Sequence, residues 1–353
     1  MANFVKKENV FIRMAKNLFP QKGDTVTEIL RKIIFMGAGI VLVVSVAILL
    51  VTAGNKVADT SDNNSLSNLY HGTASGSTAV EIDTTRREEL KKEYPEVLEE
   101  FLPLLEINED VVGWITISND NNTLLDYVVM QTDNNDYYLD HNYKGEESIS
   151  GAVFADYHEP ITAENQPANI VLYGHNMMSG EYFAPLIRYN NYHSAGYGLD
   201  YIKSYPTITF STLYKKSTYK IFAGMLINTR KEEGTPIFNY IRYRNFDTKG
   251  EFDDFCANIL DRTTFINPDV NLKYGDNLLT LSTCSLQYDQ ERQIRWVIFA
   301  REVREGESEE VDVDSIYANP DPLYFDYYYD ITYNDDGWDG RKWPAELIQG
   351  YSY

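Results

Sequence analysis

The chain of 353 residues holds only two cysteines, and they lie in opposite kinds of sequence. Cys284 ends the apolar, β-branched run NLLTLSTC where a polar loop begins. Cys256 lies in TKGEFDDFCANILD, where Phe252, Phe255, Cys256, Ile259 and Leu260 recur at helical spacing and make one apolar face. A cysteine on such a face is a small core residue, whereas one at a strand end can meet a substrate. Sulfur attack on a carbonyl needs a thiolate or a base to make one, and donors for the oxyanion that forms. His175 supplies the base: NIVLYGHNM carries it out of an apolar strand through Gly174 into a loop bearing Asn176, the same strand-exit placement as Cys284. Arg295 opens the next strand and lies beside the cysteine strand if the two pair as a hairpin; its guanidinium stays charged while donating several hydrogen bonds. Arg292 competes for that role from the middle of the loop. The other histidines fit less well, His71 in a tether, His141 and His193 in Tyr and Asn rich loops, His158 at a strand end. A disulfide between Cys256 and Cys284 is the competing use of both thiols and would consume the nucleophile.

The elements that must position these groups follow from the pattern of the rest of the chain. From Asp110 short strands alternate with Asn, Asp, Gly and Pro clusters: VVGWITI, LDYVVMQ, GAVFAD, NIVLYGH, PTITFST, TYKIFAGMLI, NLLTLSTC and RWVIFAREV. Such a series predicts a barrel or sandwich, interrupted by one helix over 248–261. Upstream, RREELKKEYPEVLEEFLPLL predicts two short helices, because Pro95 and Pro103 punctuate it.

The segment 33–53, IIFMGAGIVLVVSVAILLVTA, carries no charge, and a helix of that length crosses the ~30 Å hydrocarbon layer. Lys and Arg gather before it, so the N-terminus belongs in the cytosol and the rest outside, with membrane lipid as a contact of the span. This gives a cytoplasmic segment 1–32, an anchor 33–53, a flexible Ser and Asn rich linker 54–84, a domain 85–303 and an acidic, Tyr-rich extension 304–353, read as solvated and partly packed on the domain. In that extension Asn334, Asp336 and Gly337 mimic part of a calcium loop, but Thr332 and Trp343 stand where the first and last carboxylates belong, and no other metal set or cofactor motif appears. The formal charge of −22 argues against nucleic acid, and 43% hydrophobic residues suffice for a packed core.

TLSTC followed by Arg295 at the head of a hydrophobic strand, with YGHNM upstream, resembles the sortases, membrane-anchored cysteine transpeptidases of Gram-positive bacteria. INEDVVGWITI, NNDYYLDHNYKG, GAVFADY and NIVLYGHNMMSGEYFAPLIRY narrow the resemblance to class B, over roughly 101–303. It implies a mainly β fold, the sortase-like eight-stranded β-barrel with short N-terminal helices and one helix before the cysteine strand. It further implies that Cys284 forms a thioester with a sorting motif of the NPxTx or SPxTG type, that His175 acts as acid and base, and that Arg295 holds the motif. With the Ser285 N–H, Arg295 would stabilise the oxyanion. Ser282, Thr283, Ser285 and Asn176 are the substrate-binding residues expected, and no metal or cofactor is required. Implied partners are secreted surface proteins bearing a sorting motif and an acceptor amine of a peptidoglycan precursor. The alternatives are a pilin amine as acceptor, in a pilin-polymerising enzyme, or an inactive membrane-anchored binding module.

Overall fold

The computed structural model describes residues 18–72, 84–190, 197–229, 238–285, 294–325 and 347–349, apart from the side chains of 50, 52, 53 and 55–59. His193, Arg292, the Asn334–Gly337 sequence, residues 73–83 of the linker and residues 326–346 and 350–353 of the extension lie outside them. The chain forms two units, 1–64 and 65–353.

The first unit is dominated by helix α1, Val26–Tyr70, whose last residues from Ser65 belong to the second unit. It starts at Thr25, whose hydroxyl accepts from the Glu28 N–H at 3.4 Å while the Glu28 carboxylate accepts from the Thr25 N–H at 2.9 Å. This reciprocal pair satisfies two donors at the helix start. Val26–Leu49, with mean hydropathy 2.5, is long and apolar enough to cross a membrane.

The helix corrects the expected linker, because residues 54–70 continue it. Leu66 and Tyr70, one turn apart in a polar stretch, are buried in the second unit. Tyr70 stacks on Trp114 with centroids 4.4 Å apart, and Ser67, His71 and Trp114 all bond the Asp126 carboxylate. Two apolar anchors and one shared acceptor thus hold a segment whose composition reads as coil.

The second unit is a closed eight-stranded barrel. Its strands are β1 (Val111–Asn119), β2 (Asn122–Met130), β3 (Val153–Ala155), β4 (Asn169–Tyr173), β5 (Thr207–Thr212), β6 (Lys216–Asn228), β8 (Leu278–Cys284) and β9 (Ile294–Glu302), in the order β1-β2-β3-β4-β8-β9-β6-β5. β2–β3 and β4–β8 are parallel and the other neighbours antiparallel. Ile115, Ile117, Leu279, Leu281, Trp296 and Ile298 alternate along their strands and fall in one buried cluster, which is the barrel interior. The intervening Leu278, Val297 and Phe299 face outward onto helix α5, Lys249–Arg262, through Phe252, Phe255 and Ile259. Helices α2 (Thr84–Glu93) and α3 (Leu102–Ile107) belong to a third cluster around Trp114 and Val128. The short helix α4 (Leu199–Ser204) precedes β5.

Cys256 is fully buried on α5, and burial pushes its thiol well above the ordinary range. Both cysteines are free, so the disulfide alternative is not formed.

The extension is more integrated than its composition suggests. Arg301, fully buried on β9, makes a two-armed ion pair with Glu307, both bonds 2.6 Å. The buried Lys220 ammonium lies 3.4 Å from Glu307 and 3.3 Å from Asp269. Further on, β10 (Tyr317–Ala318) pairs with β7 (Phe265–Ile266), and Tyr324 and Phe325 enter the interior cluster.

Candidate active site

Parallel pairing of β4 with β8 brings together segments far apart in sequence. Leu172 lies opposite Leu281 and Tyr173 opposite Ser282. The contact continues past the strand ends: the Gly174 N–H donates to Ser282 O at 3.3 Å, Thr283 Oγ1 donates to Gly174 O at 2.8 Å, and Asn176 Nδ2 donates to Cys284 O at 2.8 Å. Parallel strands finish at the same edge, about 4.8 Å apart. His175 and Cys284, each two residues past the Tyr173–Ser282 pair, therefore leave the barrel at one rim.

The β8–β9 hairpin sets the third group. Cys284 faces Arg295 in its register, and Arg295 Nη1 donates to Cys284 Sγ at 2.6 Å. Cys284, His175 and Arg295 are all half-buried, within reach of a ligand in a way that Cys256 is not.

Other expected site residues are placed differently. Ser282, Thr283 and Ser285 are buried, beneath the rim instead of on its surface. The Ser282 hydroxyl is paired with Tyr240 Oη at 2.7 Å, and that of Thr283 is committed to Gly174. The Ser285 N–H donates to Ile294 O at 2.8 Å as the hairpin ladder continues. That amide is therefore not free for an oxyanion in this arrangement, and Arg295 is the donor present at the sulfur. Asn176 ties the His175 loop to the cysteine backbone.

Beneath the rim lies a polar layer that the sequence reading missed. Tyr173 Oη donates to Asp156 Oδ2 at 2.9 Å, and Asp156 also accepts from Asn135 Nδ2 at 2.9 Å and from the His158 N–H at 3.1 Å. Burial raises the Asp156 carboxyl, but these hydrogen bonds outweigh it and hold the group below its ordinary value. Burial pushes the Tyr173 and Tyr240 hydroxyls up, so both stay neutral. Tyr173 is the last residue of β4, two before His175, and nothing local marked it, Tyr240 or Asp156 as part of the site.

The remaining described histidines serve local structure: His71 bonds Asp126, His141 bonds Tyr137 O and Asp140, and His158 bonds Asp156. Among the described residues, no three His, Cys, Asp or Glu side chains gather as a metal set.

The chain is 33% identical over 197 residues to sortase B of Listeria monocytogenes, a match covering 56% of this chain and 72% of that protein. The chain belongs to the sortase B family. Sortase B of Staphylococcus aureus is 28% identical over 215 residues, 61% of this chain and 79% of that protein. Among solved structures, a Staphylococcus aureus sortase B–substrate complex superposes with TM-score 0.54 at 25% identity, covering 70% of this chain and 98% of that one. Bacillus anthracis sortase B in complex with AAEK1 shares the fold, with TM-score 0.53 at 24% identity over 71% of this chain and 98% of that one. No family model matches the chain. This sortase B relative is thus a cysteine transpeptidase built on the sortase barrel.

Proposed function

We propose that the Cys284, His175 and Arg295 rim is the transpeptidase centre, acting on secreted proteins that carry an NPxTx or SPxTG type sorting motif. The Cys284 sulfur attacks the scissile carbonyl carbon, the carbon–nitrogen bond breaks, and a thioester joins the acyl half to the enzyme. The proton from the thiol passes through the His175 ring to the departing amine. An amine of a peptidoglycan precursor then attacks the thioester, its proton goes to His175, and the thiolate leaves. Arg295 donates to the sulfur in the resting chain, and its remaining N–H groups are at hand for the carbonyl oxygen as charge develops there.

The observation that carries this reading is the 2.6 Å approach of Arg295 Nη1 to Cys284 Sγ at the rim that also bears His175. The long apolar segment Val26–Leu49 supports a single-pass anchor with the N-terminus in the cytosol and the barrel outside, where secreted substrates pass.

The test is a panel of quenched peptides of both motif types, incubated with the full-length chain in detergent with and without a small amine. Cleavage of one motif type that disappears in Cys284→Ala is the expected result. Equal cleavage by Cys284→Ala would overturn the assignment.

A further inference from the structure

We propose that the loop from Tyr137 to Gly151 is a positioning arm for His175: the Leu139 carbonyl holds the ring and fixes its tautomer, so that Nδ1 is the nitrogen that exchanges protons. This rests on the acid–base role proposed for His175.

His175 Nε2 lies 2.7 Å from Leu139 O. A carbonyl oxygen only accepts, so Nε2 carries the hydrogen in the neutral ring and Nδ1 has the free lone pair. When the ring is protonated, the added hydrogen sits on Nδ1 and the Nε2–H bond to Leu139 persists. The thiol proton is therefore received at Nδ1 and released from Nδ1 to the leaving amine. The proton of the incoming amine returns to the same atom.

The Leu139 carbonyl is built into the fold. The preceding Tyr138 is buried, and its hydroxyl donates to Asp110 Oδ2 at 2.8 Å and accepts from Asn108 Nδ2 at 2.9 Å. Asn108 Nδ2 also donates to Tyr143 O at 2.9 Å, which ties the far side of the loop to the same anchor. The loop closes on itself through the Ser148 N–H to Asp140 O at 2.8 Å and the Ala152 N–H to Tyr138 O at 3.0 Å.

Closure depends on Gly151. It has φ +56°, and a Cβ there would stand 2.5 Å from Tyr138 O and 2.8 Å from Leu139 O. Any side chain would push away the carbonyl that holds His175. Leu139 and Gly151 are thus positioning residues; neither is a catalytic residue.

The test is nitrogen NMR of the full-length chain in detergent micelles, with ¹⁵N-labelled histidine and the His175 signals assigned through His175→Gln. Neutral His175 is expected as a single Nε2–H tautomer, its ring N–H exchanging more slowly than that of an exposed histidine. A mixture or an Nδ1–H tautomer would overturn the proposal. Folded Gly151→Ala is expected to show mixed tautomers and to lose on the order of 10²-fold in kcat with little change in KM, the scale of a misplaced catalytic group. Wild-type tautomer and kcat in that variant would equally overturn it. Should Gly151→Ala fail to fold, Tyr138→Phe, which removes only the anchoring hydroxyl, is expected to loosen the tautomer preference, and an unchanged spectrum counts against the arm. The tautomer is read without substrate, so a chain with the locked ring that cleaves no peptide refutes the functional reading alone.

Discussion

Cys284 and Arg295 share one register position across the β8–β9 hairpin, and this decides what the arginine can do. A guanidinium carries five N–H donors in a rigid fork, so one can rest on sulfur while others meet a developing oxyanion. A lysine offers a compact point charge that cannot span both. Arg295→Lys is therefore expected to lower kcat on the order of 10²-fold with a smaller change in KM, measured by peptide cleavage; activity within a few-fold of wild type would contradict the role. The strand-end placement of Cys284, His175 and Arg295 was legible because each marks a switch between apolar strand and polar loop. The burial of Ser282, Thr283 and Ser285 was not, since a strand pattern does not say which hydroxyls the fold consumes. The carbonyl that holds His175 was beyond reach for a simpler reason: any residue carries one, and only the loop geometry around Gly151 aims it.

Among the elements, the strands of the barrel and helix α5 follow directly from alternation, turn clusters and helical spacing. The parallel pairing of β4 with β8 does not, because it joins strands separated by a long stretch of chain, and it is this pairing that makes one rim of two strand ends. The docking of the C-terminal part of helix α1 was misjudged, and the anchors of the partly packed extension went unmarked, for a common reason. Polar composition conceals a few anchors, Leu66 and Tyr70 in one case and Glu307, Tyr324 and Phe325 in the other. Glu307 is the most telling of these. Its hydrogen bonds from Arg301 hold its carboxyl down from 4.5 to about 2, despite the opposing effect of burial. A depressed carboxylate contributes stability above its unfolded value, and that contribution is lost as pH falls from 4.5 to about 2. Glu307→Gln leaves the buried Arg301 unpaired and is expected to cost about 3 kcal/mol, seen as a lower unfolding midpoint. The gap from wild type should be steady above pH 4.5 and shrink below it. A gap absent at neutral pH, or growing on acidification, would show that the ion pair does not hold the extension.

At the scale of the whole molecule, an acidic chain places the Cys284 thiol at the rim of a closed barrel, where β-strands fix the rim and hydrogen bonds beneath it fix the side chains. The resemblance seen in TLSTC and YGHNM led to the correct fold and family, which the identity to sortase B of Listeria monocytogenes establishes. Composition gave the apolar span of α1 but not the docking of its last turns, which depends on Trp114 and Asp126 of the barrel. The role proposed for Cys284 is to carry the acyl group between donor and acceptor. The most direct measurement is the intact mass of the full-length chain after exposure to a sorting-motif peptide without amine. The expected result is an added mass equal to the acyl half of the peptide, attached at Cys284, absent in Cys284→Ala and discharged by an added amine. Peptide cleavage with no adduct at Cys284, or an adduct elsewhere that an amine discharges, would contradict it.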